Sequence, residues 1–165
     1  MENKEIQLVV FRLRHEEFGA DIGQVLEISR MQEITHVPKA PGFIEGMINL
    51  RGRVIGVVDL SRQFGLESQK ELPKTARIVV TQTGSETVGL MVDEVPEVLR
   101  IAASAIEPTP EIIQAEIQRD YIKGVAKVGE RLIIMLDLNK VLSPHEIQSM
   151  GKTRGGNYGE DTHRG

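Results

Sequence analysis

The chain predicts an all-β protein built from two copies of one small barrel-forming unit. Three observations carry this: the sequence repeats itself, its apolar segments are strand-length and bounded by turn residues, and helix signals are few. The repeat is plainest where Phe43 to Leu60 aligns with Tyr121 to Leu138. Ile44, Gly46, Arg53, Ile55, Asp59 and Leu60 meet identical residues there, and most other pairs are apolar against apolar. A second match precedes it at a different offset. Gln7 to Phe11 aligns with Arg77 to Thr81, and Gly19 to Ile28 with Gly89 to Val98, so that Gly19, Val25 and Glu27 recur as Gly89, Val95 and Glu97.

In chain order, the strands expected of copy one are Ile6 to Leu13, Phe18 to Ile22, Val25 to Ile28, Met47 to Leu50 and Val54 to Val58. Copy two offers Arg77 to Thr81, Thr87 to Val92, Glu97 to Ile101, Gly124 to Val128 and Leu132 to Leu136. Five short strands per copy are too few for a sandwich, and rolling them into two intertwined five-stranded barrels protects edges that would otherwise pair promiscuously. On this reading residues 1–150 form the folded domain, with the first barrel mainly 6–66 and the second mainly 76–142. Asp59 and Asp137 end the last strand of each copy and are placed to cap short helices, Leu60 to Phe64 and Leu138 to Leu142. Ser143-Pro144-His145-Glu146 has the form of a capping box with proline at the first helical position, opening a C-terminal helix that runs to about Met150. Glu111 to Arg119 fits helix and loop equally well, and residues 151–165 read as a disordered tail.

Composition removes several function classes. The net charge of -4 gives no basic footprint for nucleic acid, and 4 % aromatic residues leave few rings to stack on bases. The longest apolar runs, such as Val54 to Val58, fall far short of a membrane span. Met1-Glu2-Asn3-Lys4-Glu5 is charged, unlike the start of a signal peptide, and without cysteine nothing reports the redox compartment directly, so cytoplasm is the expected location.

A search for chemistry finds no catalytic, cofactor or metal motif. His15, His36, His145 and His163 neighbour no second plausible ligand. Asp59 and Asp137 can be imagined as paired carboxylates, but their equivalence in the repeat favours capping. Gly46 and Gly124 recur, which points to a backbone requirement, and Met91 and Met135 read as core filler. The breaks in the symmetry are more informative. Asn49-Leu50-Arg51-Gly52 stands where copy two has Lys127-Val128-Gly129-Glu130, so the scaffold does not demand Asn49, Arg51 or Gly52. Arg51 at a strand-connecting turn offers a five-donor fork to a partner, although an ordinary solvated turn arginine fits the same position.

From Phe43 to Leu60 the sequence closely resembles the CheW-like coupling proteins of bacterial chemotaxis. The resemblance extends over Ile6 to Leu142, through Phe18-Gly19-Ala20-Asp21-Ile22, Val25-Leu26-Glu27-Ile28, Val37-Pro38-Lys39-Ala40-Pro41 and Val88 to Val95. Gly56 departs from it, since the family usually has proline there. The resemblance implies two SH3-like barrels and an adaptor role with no reaction and no cofactor. It also implies two partners: the cytoplasmic helical tip of a chemoreceptor and the regulatory domain of the chemotaxis histidine kinase. Carried over position by position, receptor contact falls on Arg51, Asn49, Gly52, Val25 and Glu27 around a groove between the barrels. Kinase contact falls on Val9, Ile22 and Ile28 of the first barrel. The expected protein is a monomer alone, cytoplasmic, recruited to membrane receptor arrays through its partners. It inserts into no membrane and binds no nucleic acid. An RNA-binding barrel and a small-molecule-binding barrel are the rival readings, opposed by the acidic balance and by the lack of convergent polar residues.

Overall fold

The computed structural model describes residues 4–40, 42–66, 71–110, 121–143 and 146–147. Eleven strands are present among them, in the order β1 (Glu5–Leu13), β2 (Glu16–Asp21), β3 (Val25–Arg30), β4 (Ile44–Leu50), β5 (Arg53–Asp59), β6 (Arg77–Thr83), β7 (Glu86–Val92), β8 (Glu94–Ala102), β9 (Ile106–Glu107), β10 (Ile122–Val128) and β11 (Arg131–Leu136). One α-helix, α1 (Leu60–Gln63), follows β5, and Leu138–Lys140 is a 3-10 turn where a longer helix was expected. The two aspartates do cap: Asp59 accepts the amides of Ser61 and Arg62, and Asp137 that of Asn139. Ser143 and Glu146 exchange side-chain and backbone hydrogen bonds of 2.8 and 3.1 Å, completing the capping box. The expected helix or loop at 111–119, the remainder of the C-terminal helix and the tail at 151–165 lie outside the described residues.

The strands form two sheets, one six-stranded in the order β8-β1-β2-β11-β10-β9 and one five-stranded in the order β3-β6-β7-β5-β4. Neither sheet is one half of the sequence. The five-stranded sheet takes the first two strands of the second repeat and the third, fourth and fifth of the first; the six-stranded sheet takes the converse set and adds the two-residue β9, which was not among the expected strands, so the division at 6–66 and 76–142 describes the repeat and not the barrels. In the first repeat the exchange is made in the short connection after β2. Asp21 accepts the Gly23 amide at 2.8 Å and closes the 3-10 turn Ile22–Gln24, which carries the chain out of one sheet and into the other instead of folding it back as a hairpin. The second repeat makes the same exchange at Asp93, between β7 and β8.

The two sheets are alike in register. Ile28 faces Val79 on β3 and β6, as Val98 faces Val9 on β8 and β1. Gly89 sits between Val80 and Val57, as Gly19 sits between Val10 and Met135. The recurrence of Gly46 and Gly124 now has a cause, because a Cβ at either would run into a carbonyl oxygen, that of Thr35 or of Glu107, on the neighbouring segment.

Three cores result. Leu8, Val10, Ile101, Ala126, Ile133 and Met135 fill the six-stranded barrel, and the outer-lying strands β8 and β10 both contribute, so the sheet is rolled. Ile48, Ile55, Val57, Ile78, Val80 and Met91 fill the five-stranded one. Between the barrels lies the third cluster, where Phe11, Phe18 and Leu136 of one sheet meet Val58, Val79 and Leu90 of the other. Strands such as Leu8-Val9-Val10-Phe11 are therefore apolar on both faces, one turned into a barrel and one turned between barrels.

Candidate functional site

The loop that breaks the repeat is a two-residue hairpin turn between β4 and β5, closed by the pair Leu50 and Arg53. Arg51 and Gly52 both have positive φ, 53° and 86°, the pattern of a type I′ turn, which matches the right-handed twist of the flanking strands. Glycine enters that region freely, but arginine is held there at a cost of about 1–2 kcal/mol. Asn49 supports the turn by accepting the Gly52 amide on Oδ1 at 2.9 Å. In the other barrel the matching turn is Gly129-Glu130, with positive φ at Gly129 alone, so that turn carries no such strain.

Arg51 reaches from this turn across the barrel mouth to β3, where its Nη1 donates to Glu27 Oε1 at 2.9 Å. β3 and β4 are the two outer strands of the five-stranded sheet, so this ion pair links the edges of the roll. The two ends are unequal. The Arg51 side chain is 76 % exposed and Glu27 only 24 %, which leaves most of the guanidinium fork facing solvent. Val25 packs partly buried against the cluster between the barrels. Arg51, Asn49, Gly52 and Glu27 thus come together at one barrel mouth, while Val25 serves packing.

β3 presents a second feature. Val25, Glu27 and Ser29 turn inward, with Glu27 opposite the core residue Val80, so Leu26, Ile28 and Arg30 face out. Leu26 is 58 % exposed and Ile28 41 %, and Ile22 in the preceding turn is 39 % exposed. With Glu27 and Ser29 on the inner face and Leu26 and Ile28 on the outer, the middle of this edge strand departs from the pattern of apolar residues in and polar residues out. The sequence reading missed Leu26. Val9 requires correction: at 1 % exposure it is enclosed between β2 and β8 and presents no side chain to a partner. It also belongs to the six-stranded sheet, whereas Ile28 belongs to the five-stranded one, so the three positions expected to meet the kinase do not share a barrel.

Beside the cleft between the barrels, Gln24 pins the first crossover. Its Nε2 donates to Asp137 Oδ1 at 2.8 Å, its Oε1 accepts the Leu138 amide at 2.9 Å, and its carbonyl accepts from Thr81 Oγ1 at 2.6 Å. At the other barrel mouth Arg131 holds Glu17 and Glu97. The hydrogen bond from Arg131 keeps the Glu17 carboxyl below the ordinary carboxylate range, and the two carboxylates raise Arg131 in turn. Among the described residues no group of three or more His, Asp or Glu is arranged to hold a metal, and no helix is long and apolar enough to cross a membrane.

The fold is a pair of small barrels with exchanged strands, whose exposed features include an arginine-bearing turn and an apolar edge strand. The chain matches the CheW-like domain over residues 7–146 and belongs to that family. It is 34 % identical to the chemotaxis protein CheW of Klebsiella aerogenes over 141 residues, covering 86 % of this chain and 84 % of that one. The chemotaxis protein CheW of Bacillus subtilis is 33 % identical over 143 residues, covering 87 % and 90 %. The crystal structure of the scaffolding protein TtCheW from Thermoanaerobacter tengcongensis superposes with a TM-score of 0.77 at 36 % identity, covering 85 % of this chain and 94 % of that one. The protein is a non-catalytic coupling adaptor of chemotaxis signal transduction.

Proposed function

We propose that this chain joins a chemoreceptor's cytoplasmic helical tip to the regulatory domain of the chemotaxis histidine kinase through two different faces of its five-stranded barrel. The receptor meets the turn of Asn49, Arg51 and Gly52 with Glu27 beside it, in the manner of a helix laid on a groove. The kinase meets the apolar outer face of β3 at Leu26 and Ile28, with Ile22 of the preceding turn beside them. The observation that carries the receptor site is Arg51 itself, an arginine kept at φ 53° with its fork toward solvent at a place where the repeat does not require it. A strained, exposed residue that packing does not demand is best explained by a partner.

Burial of the apolar edge supplies the second contact. Ile28 and Val54 on the five-stranded barrel have exposed repeat mates, Val98 and Leu132, on the other, which suits a partner of like two-barrel shape. Head-to-tail contacts of that kind close into rings and build arrays, so the chain, monomeric alone, is held at the membrane by its partners while remaining in the cytoplasm.

The test is a paired capture experiment with receptor-fragment and kinase baits. Arg51→Glu is expected to lose the receptor and keep the kinase, and Leu26→Asp with Ile28→Asp to do the reverse. Loss of both partners by either variant, with unchanged thermal melting, would mean that the two faces are one site.

A further inference from the structure

A repeat that builds two barrels also builds each binding position twice. The offsets relating the repeats carry Glu27 to Glu97, Arg53 to Arg131, Thr87 to Glu17, Gln82 to Arg12 and Gln24 to Glu94, while Asn49, Arg51 and Gly52 become Lys127, Gly129 and Glu130. The six-stranded barrel therefore holds a second copy of the surface assigned above to the receptor, and its side chains have been put to another use.

In the five-stranded barrel Glu27 pairs with the exposed Arg51. The matching Glu97 is taken by Arg131 at 2.6 Å, and Arg131 also grips Glu17 with two hydrogen bonds of 3.0 and 3.2 Å. Glu17 lies 3.5 Å from Arg12, which donates to Glu94 at 2.9 Å. Three carboxylates and two guanidiniums thus form one chain of ion pairs where the other barrel has Thr87, Gln24, Glu27, Gln82 and Arg53. The two clefts between the barrels repeat the contrast. They are nearly equal, about 520 and 530 Å³. In the first, Gly23, Gln24, Gln82 and Gly84 stand where the second has their repeat mates Asp93, Glu94, Arg12 and Arg14, so that among the described residues Lys140 is the one charged side chain lining the first while four charged side chains line the second. In the second, Arg14 donates its amide to Asp93 Oδ2 at 2.7 Å and its guanidinium to the same oxygen at 3.3 Å.

We propose that this intramolecular ion-pair network closes the six-stranded barrel's copy of the receptor surface, so that each chain accepts one receptor tip and has one direction in an assembly. The inference rests on the assignment of the receptor to the Arg51 turn. A charged side chain approaching the six-stranded barrel competes with pairs already made within the chain; each pair is partly exposed and individually worth little, and it is the linked network that disfavours replacement. At the tip of the turn Glu130 presents the opposite sign to Arg51, and the cation that replaces Asn49, Lys127, is paired with Glu107 at 3.7 Å, so an acidic partner drawn to one turn finds a carboxylate at the tip of the other. An adaptor with two equal receptor surfaces would cross-link receptors without direction, whereas unequal ends permit the head-to-tail contacts that close rings.

The test titrates the full chain with a soluble cytoplasmic fragment of a chemoreceptor and counts sites by calorimetry and sedimentation. The wild type is expected to bind at one site, with backbone amide shifts at residues 49–53 and none at 127–131; shifts at both turns, or two sites, overturn the proposal. A transplant variant carrying Arg12→Gln, Glu17→Thr, Lys127→Asn, Gly129→Arg and Glu130→Gly is expected to gain a second site. A milder one with only Arg12→Gln, Glu17→Thr and Gly129→Arg, which still breaks the network and supplies the arginine, covers the case in which the first does not fold. One site in whichever variant melts cooperatively contradicts the proposal. Arg51→Glu alone should lose at least tenfold in affinity, and Arg51→Glu in the transplant should recover one site. Unchanged binding by Arg51→Glu alone removes the reading beneath the inference, and the inference with it, whereas loss without recovery refutes only the closure.

Discussion

Replacing Arg51 by asparagine separates what the fold wants from what the function wants. Asn-Gly is the preferred pair for a type I′ turn, and asparagine tolerates the left-handed region that Arg51 occupies at φ 53°. Relief of that strain is worth about 1 kcal/mol. Against it stands the lost ion pair with Glu27, at most a few tenths of a kcal/mol because the Arg51 side chain is 76 % exposed and its charge is screened. The net is a stabilisation of about 0.5 kcal/mol, or roughly 1–2 °C in Tm for a chain of this size. Receptor affinity should fall at least tenfold, since the fork that meets the partner is gone. Differential scanning calorimetry and a receptor-fragment titration on the same preparation read both quantities. A variant that melts several degrees lower and binds as well as wild type would refute the reasoning, because Arg51 would then be a structural residue.

Three other outcomes follow from the geometry. Gly46→Ala and Gly124→Ala should each cost about 2–3 kcal/mol, and nearly the same amount, because the added methyl meets a backbone oxygen in both barrels; chemical denaturation of the two variants checks it. Val9→Ala should lower stability by about 2 kcal/mol while leaving kinase affinity of the folded protein unchanged, whereas Ile28→Asp should weaken kinase binding and alter melting little. Because the folded carboxyl of Glu17 is depressed, its stabilisation is complete above the ordinary glutamate pKa of about 4.3 and is lost as pH falls through the lower folded value. Glu17→Gln should therefore show a shallower loss of stability between neutral and acid pH than wild type, read as Tm against pH.

The barrels were legible in the sequence because the repeat duplicated five strands and a cap, down to Asp59 and Asp137; the two-residue β9, matched in the first copy only by an isolated bridge at Thr35, was not. That the barrels are intertwined was expected, but which strands they exchange was not legible, since β3 satisfies the same alternation whether it pairs with β1 or with β6. The crossovers are short, Ile22–Gln24 in the first repeat and Asp93 alone in the second, and so few residues carry little signal. Val9 was misplaced although its signal was present: an unbroken run from Leu8 to Phe11 says that both faces are buried. Leu26 was passed over because apolar residues in a short strand read as core until the opposite face is known to hold Glu27 and Ser29. The Arg51 turn stood out in the sequence by asymmetry alone, and the structure adds its strain and its hold on Glu27.

The most direct measurement is sedimentation of receptor-bearing membranes with purified kinase and this chain. Wild type should bring the kinase down with the membranes, and Arg51→Glu should leave chain and kinase together in the supernatant as a complex. Kinase that still pellets with Arg51→Glu, or that pellets without the chain at all, would contradict the account.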